Sequence, residues 1–280
     1  MITQRKQSKI HVLAECAILV ALGTVLSLLK LVDLPCGGSV TVASMLPLLI
    51  ISYRHGMVWG LGCGLVYGAI QQLLGLNTLN YFSTFGSILA VILLDYVVAF
   101  AVVGLGGMFR KAVRNESVAL AGGALVTGLL RYLCHVISGA TVWAGISIPT
   151  KAAIGYSLIY NATYMIPETL VLMLVAFYLG QCVDLTQPIP RRIVRTGSAI
   201  GSVLRLGALG VLFAGLIFDI AKVFSVLQDP ESGEFNITGL TEAGSKFYIT
   251  LIVVSAVCIV FSLVVTILSR KIECTEKTDA

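Results

Sequence analysis

Charge is what this sequence has least of. Only 12% of its 280 residues are Asp, Glu, Lys or Arg, against roughly 25% in an ordinary soluble domain. That leaves too little polar surface to cover a water-soluble globule, so lipid must solvate much of the chain. Catalytic signatures are missing too. There is no HExxH, no cluster of aspartates, no serine–histidine elbow and no GxxxxGK[ST] loop, so the residues hold no metalloenzyme, hydrolase or ATPase site of a known kind. The seven cysteines (Cys16, Cys36, Cys63, Cys134, Cys182, Cys258 and Cys274) include no CxxC pair. They read as small apolar fillers rather than metal ligands or disulfides. No catalytic residue, metal or cofactor is expected.

Apolar residues are plentiful, at 57%, and they come in runs. A bilayer-spanning helix needs about 20 of them. Runs at residues 11–32, 40–53, 56–76, 84–109, 118–137 and 152–179 predict six spans, the second short and containing Pro47. Two more follow at 204–227 and 247–268. The first run is too long for a signal peptide and has no small-x-small site, so it is expected to stay as an uncleaved span. The expectation is an all-α integral membrane protein with three parts. Residues 1–184 form a six-span unit, 185–203 a basic linker, and 204–280 a two-span extension with a short tail.

The net charge of +5 is distributed as short basic clusters between apolar runs, which argues for anionic headgroups and against nucleic acid. With the N-terminus inside, the clusters at residues 5–9, 54, 110–114, 191–195 and 270–271 all face the cytoplasm. The loop at 228–246 is acidic. One orientation therefore satisfies the positive-inside rule at every turn, with both termini cytoplasmic.

Against this background the polar residues inside the spans stand out. A carboxylate at mid-membrane costs at least ~2.5–3.5 kcal/mol on insertion scales and marks a functional site by default. Asp95 is such a residue. Its partner is either a bound cation or, structurally, Arg131. Arg131, His135, Gly139 and Trp143 follow at four-residue intervals, which in a continuous helix places a cation, an imidazole, a gap and an indole on one stripe. Tyr156, Tyr160 and Asn161 open the sixth span. An amide pairs with a heteroaromatic edge, and aromatic faces suit a flat or cationic ligand. Singly, His135 reads as a satisfied core histidine and Trp143 or Tyr160 as an interfacial aromatic. Together they favour a polar cavity opening outward. Glu168, after Pro167, fits three roles: cavity lining, an ion pair, or the bundle face near a kink. Gly60, Gly64 and Gly68, like Ala17 and Ala21, give smooth faces for close helix approach. Asp219 and Lys222 are spaced to pair.

Residues 37–47 (GGSVTVASMLP), 53–56 (YRHG), 94–99 (LDYVVA), 131–135 (RYLCH) with Gly139 and Trp143, and 156–161 (YSLIYN) occur in an order and spacing that resemble the thiamine-specific substrate-binding (S) component of energy-coupling factor transporters. The resemblance covers about residues 8 to 183. It implies a six-helix fold with an outward-facing pocket closed by the loop after helix 1, in a bacterial cell membrane. It implies a carboxylate for the cationic vitamin at Asp95, pocket residues at Arg131, His135, Gly139, Trp143, Tyr156 and Asn161, and docking on a transmembrane coupling subunit through Ala17 and Ala21. Two ATPases would drive that subunit.

Three positions depart from the family pattern. Asp95 is one methylene shorter than the usual glutamate, Arg131 replaces a frequent lysine, and residues 33–38 lack a gating aromatic. Hence the expected scheme: Asp95 offsets the thiazolium charge, Trp143 and His135 stack on the rings, Asn161 reads the aminopyrimidine edge, and Tyr156 and Arg131 hold the polar tail or support Asp95. An S component for another small vitamin or precursor, such as hydroxymethylpyrimidine, is the alternative. An integral-membrane enzyme is a more distant one.

Overall fold

A computed structural model of the chain describes residues 8–34, 38–146, 148, 150–151, 153–193, 199–227 and 238–278. The chain divides into two compact units, Met1–Ile193 and Val194–Ala280.

Among the described residues the first unit holds the six helices that the apolar runs predict, α1 Lys9–Ser27, α2 Leu46–His55, α3 Met57–Leu74, α4 Phe85–Arg110, α5 Glu116–Thr141 and α6 Ala153–Cys182, with a 3-10 turn Leu76–Tyr81 between α3 and α4. Local chemistry sets their starts. The Ser8 hydroxyl accepts from His11 N–H at the head of α1, Thr84 accepts from Ser87 N–H before α4, and Asn115 accepts from Val118 N–H before α5. Each satisfies one of the backbone donors that a helix N-terminus leaves unpaired.

Among the described residues, seven helices are long and apolar enough to cross a membrane, not eight. The difference is α2. It has ten residues, which span about 15 Å at 1.5 Å per residue. Val40 and Thr41, which belong to the predicted span, are drawn into a strand instead. Pro47 opens the helix, where its missing N–H costs nothing. Leu48, Leu49 and Ile51 are fully buried, so α2 is apolar because it forms core, not because it faces lipid.

Between α1 and α2 lies a two-stranded antiparallel hairpin, β1 Lys30–Asp33 with β2 Ser39–Thr41, in register Val32↔Val40 and Asp33↔Ser39. Hydropathy alone reads this stretch as the end of one span and the start of another.

Helix α3 lays its glycine face on α4, as the spacing predicts. A Cβ on Gly64 would stand 2.7 Å from Phe100 O, and one on Gly68 2.8 Å from Tyr96 O. Helix α4 is not uniform. Residues Ile92–Val98 widen into a π-helical turn, and Val102–Arg110 tighten into a 3-10 coil. π-Turns inside helices are frequent at functional sites, and Asp95 lies in this one.

At the end of the unit away from the α1 C-terminus, Arg54 is a buried hub rather than a headgroup-facing charge. It holds Glu15 of α1 through Nε (2.5 Å) and Nη2 (3.1 Å), and donates to the carbonyls of Leu185, Gln187 and Pro188 at 2.7, 3.0 and 3.1 Å. His55 Nε2 lies 3.1 Å from the same Glu15. Beyond α6, β3 Val183–Asp184 pairs with β4 Arg191–Arg192. The start of the predicted linker therefore folds back onto the first unit. Half-buried Asp184 accepts hydrogen bonds from Thr186 and Gln187, which hold its carboxyl below the usual range.

The second unit contains α7 Ala199–Leu227, the short α8 Thr238–Glu242, and α9 Ser245–Thr278. Ser262 Oγ donates to Ala208 O, joining α9 to α7. Asp219 does not pair with Lys222 among the described residues. Its Oδ2 accepts from Ser255 Oγ of α9 at 2.5 Å. Of the predicted acidic loop, Asp229, Glu231 and Glu234 lie outside the described residues.

Candidate functional site

Helices α3 to α6 and the hairpin surround a cavity of about 320 Å³ at the α1 C-terminal end of the first unit, near the lower end of the ~300–1,000 Å³ typical of small-molecule pockets. Asp95 is one of the residues that line it. His135 Nδ1 lies 3.0 Å from Oδ1, while Ser138 Oγ and Trp143 Nε1 donate to Oδ2 at 2.7 and 3.0 Å. Three residues from α5 and the turn after it thus grip one carboxylate from α4. Among the described residues no Lys or Arg is within ion-pair distance of Asp95; its one ion-pair neighbour is His135, a cation only when protonated.

Arg131 goes elsewhere. Its guanidinium sits 4.5 Å over the Phe100 ring, and Nη1 reaches Met45 Sδ at 3.3 Å. The structural pairing of Asp95 with Arg131 is therefore not formed. Two buried polar atoms of cavity-lining side chains have no protein partner among the described residues: Arg131 Nε and His135 Nε2. Their polarities follow from their neighbours. Nδ1 of His135 faces a carboxylate oxygen and so carries a proton; in the neutral imidazole Nε2 is then a bare acceptor. Arg131 Nε is always a donor.

The predicted stripe is continuous only in part. Helix α5 ends at Thr141, and Trp143 is carried on the turn beyond. That turn aims the indole N–H at Asp95 and packs the ring edge-on to Phe82 (4.8 Å) and tilted to Tyr81 (5.7 Å). Gly139 lines the cavity, yet its missing side chain also serves packing: a Cβ would collide with Ser157 Oγ and stand 2.9 Å from Ile148 Cδ1.

Asn161 lines the cavity as well, but its amide is engaged by protein. Nδ2 donates to Ser157 O (2.9 Å) and Oδ1 accepts from Tyr164 Oη (2.6 Å). Tyr156 is the one predicted pocket residue outside the lining. It stacks on Tyr160, which does line it, at 6.4 Å, and packs behind the Trp143 cluster.

Several residues of the site escape sequence reading, among them Ser138, which is buried and reaches the cavity only through Asp95. Ser138 and Tyr164 carry no composition signal. Tyr96 donates to Thr78 at 3.2 Å, and Phe100 receives the Arg131 cation, but each looks like an ordinary aromatic in an apolar run. Glu168, which sequence leaves between three roles, lines the cavity in a buried position and accepts from Thr41 of β2. Its position after Pro167 is the only available hint. Ala17 and Ala21 lie far from the cavity on an exposed face of α1, beside Leu13, Ile18 and Leu22.

Comparison with known proteins places this geometry. Residues 13–186 match the thiamine transporter protein family. The thiamine transporter ThiT of Bacillus subtilis is 36% identical over 174 residues, which cover 58% of this chain and 86% of that protein. A solved structure of ThiT from Listeria monocytogenes superposes with a TM-score of 0.51 at 23% identity, covering 62% of this chain and 95% of that one. At that identity the likeness speaks for the fold. The second unit lies beyond the family match.

Proposed function

The chain belongs to the thiamine transporter protein family, and from that premise we propose that its cavity captures thiamine for uptake, as the substrate-binding component of a transporter energised by other subunits. It is a multi-pass membrane protein and a transport subunit, not an enzyme.

One observation carries the substrate assignment: Asp95 is a membrane-embedded carboxylate held by three donors, with no Lys or Arg among the described residues at ion-pair distance. A ligand bearing a fixed positive charge completes it. The two unpaired atoms fit the rest of such a ligand. His135 Nε2 accepts from an exocyclic amino group. Arg131 Nε donates to a hydroxyl or ester oxygen on the polar tail. Trp143 offers a face to the rings, and Tyr156 backs Tyr160 rather than touching the ligand. Gly139 keeps α5 and α6 close enough to hold this set together. A desolvated cation on an aromatic face contributes about 2 kcal/mol and a charge-assisted hydrogen bond about 1.5–3. Several of these, less the cost of binding, support nanomolar affinity, which needs about −12 kcal/mol.

With the hairpin and α2 together making the return pass from the α1 C-terminus to the Glu15–Arg54 end, the basic clusters orient the chain with both termini in the cytoplasm of a bacterial cell. The α1 C-terminal end, where Ser27 and Leu28 line the cavity, then opens outward. The exposed Ala17–Ala21 face of α1 suits the transmembrane coupling subunit of an energy-coupling factor module, whose two ATPases supply the energy that this chain has no loop to harvest.

The deciding experiment is equilibrium binding of purified full-length protein to thiamine and to its hydroxymethylpyrimidine precursor. Thiamine is expected to bind at least tenfold more tightly, because only it carries the thiazolium. Tighter binding of the precursor transfers the assignment to that ligand, and binding of neither removes it.

A further inference from the structure

Glu168 is a buried carboxylate that this binding scheme does not use. It is 3% exposed, and both of its oxygens are taken by one residue of another element. Thr41 N–H donates to Oε2 at 2.5 Å, and the Thr41 hydroxyl donates to Oε1 at 2.7 Å. The same hydroxyl is hydrogen-bonded with Ser44 Oγ at 2.8 Å. Thr41 ends strand β2, and the two hairpin strands supply Lys30, Asp33, Ser39 and Thr41 to the cavity wall. A neutral side chain suffices for an ordinary tie. A carboxylate with two convergent donors makes a stronger one, about twice as strong per bond, at the cost of burying a charge.

A second contact joins the same two elements. Gly38 lies against the Tyr164 ring so closely that a Cβ would stand 2.8 Å from Cε1. Tyr164 in turn donates to Asn161 Oδ1. Asn161, Tyr164 and Glu168 are spaced i, i+3, i+7, which is one stripe of α6. That stripe carries a cavity amide at one end, the hairpin's carboxylate at the other, and a tyrosine touching both systems.

We infer that Glu168 is a positioning residue that latches the β1–β2 hairpin onto α6 through Thr41, and so sets how long a bound ligand is retained. This rests on the reading of the cavity as the thiamine site. The latch acts on the hairpin and not on the ligand, so it governs release rather than recognition.

The test uses the purified full-length protein, with stopped-flow thiamine association and dissociation followed by tryptophan fluorescence, and hydrogen–deuterium exchange at residues 39–41. Glu168→Gln is expected to speed dissociation about tenfold or more, the equivalent of about 1.4 kcal/mol, while association stays equal or rises. Thr41→Val, which removes only the hydroxyl bond, gives a smaller change in the same direction, and Thr41→Ser restores the native rate. The double variant E168Q/T41V dissociates no faster than E168Q alone. Exchange of the hairpin amides quickens in E168Q with or without ligand. Unchanged hairpin exchange in E168Q overturns the latch. So do additive effects of E168Q and T41V, which would make Glu168 a direct ligand contact. If E168Q does not fold, T41V with its serine rescue decides. A native protein that binds no thiamine overturns the ligand reading instead, and the exchange measurement still decides the latch.

Discussion

Asp95→Asn separates charge from shape more sharply than any other change in this protein. Asparagine fills the same volume, so the cavity and the helix packing persist. Two donors, Ser138 Oγ and Trp143 Nε1, converge on Oδ2, so the amide oxygen takes that place and the amide nitrogen turns toward His135. The imidazole must then accept at Nδ1, which moves its proton to Nε2 and turns a cavity acceptor into a donor. The substitution thus removes the negative charge and inverts one hydrogen-bonding position. Opposite charges about 4 Å apart attract by roughly 4 kcal/mol at an effective dielectric constant of about 20, and measured charge-assisted bonds contribute a net ~1.5–3. Using the smaller figures, thiamine affinity should fall about ten- to a hundredfold. The neutral pyrimidine precursor loses only the His135 acceptor, so its loss should be clearly smaller. Titration calorimetry with both ligands on the native and variant proteins measures this directly. Unchanged thiamine affinity, or equal losses for the two ligands, would refute the charge role of Asp95 and leave it as scaffolding for α5.

Two further outcomes follow from the packing. Arg54→Ala leaves Glu15 without its guanidinium and frees three carbonyls. Breaking a fully buried pair from one side costs about 3–5 kcal/mol; Glu15 is partly exposed, so the cost falls toward or below the lower figure, and the thermal midpoint in detergent should drop by a few degrees, with thiamine affinity in the surviving folded protein unchanged within about twofold. Truncation after Ile193 should retain thiamine binding, measured by the same calorimetry, because the β3–β4 pair and the Arg54 carbonyl contacts stay intact. A cut after Asp184 removes the partners of both and should lower the thermal midpoint relative to the longer fragment.

How much of the site is legible without coordinates depends on the kind of order involved. Arg131 and His135 are one helical turn apart, so their shared face follows from 3.6 residues per turn. Asp95 is conspicuous because a carboxylate is rare in an apolar run. Trp143 keeps the same spacing and reaches the same carboxylate, but from a turn beyond the helix end, which periodicity does not show. Arg54 reads as a loop charge, whereas it is buried beneath carbonyls contributed by residues more than 130 positions away. Asn161 reads as a ligand contact, and only the neighbouring Tyr164 and Ser157 reveal that its amide is already engaged.

The linear chain by itself determines that the protein lives in a bilayer, where its helices lie, and which polar residues are out of place in lipid. These follow from solvation, a local property that each segment carries with it. Tertiary structure alone decides that α2 is core, that the start of the hairpin region is β-paired, that Asp95 is solvated by three donors instead of by Arg131, and that Glu168 holds Thr41. Each of these depends on groups distant in sequence meeting within hydrogen-bonding distance, and no pattern along one segment records what will stand opposite it.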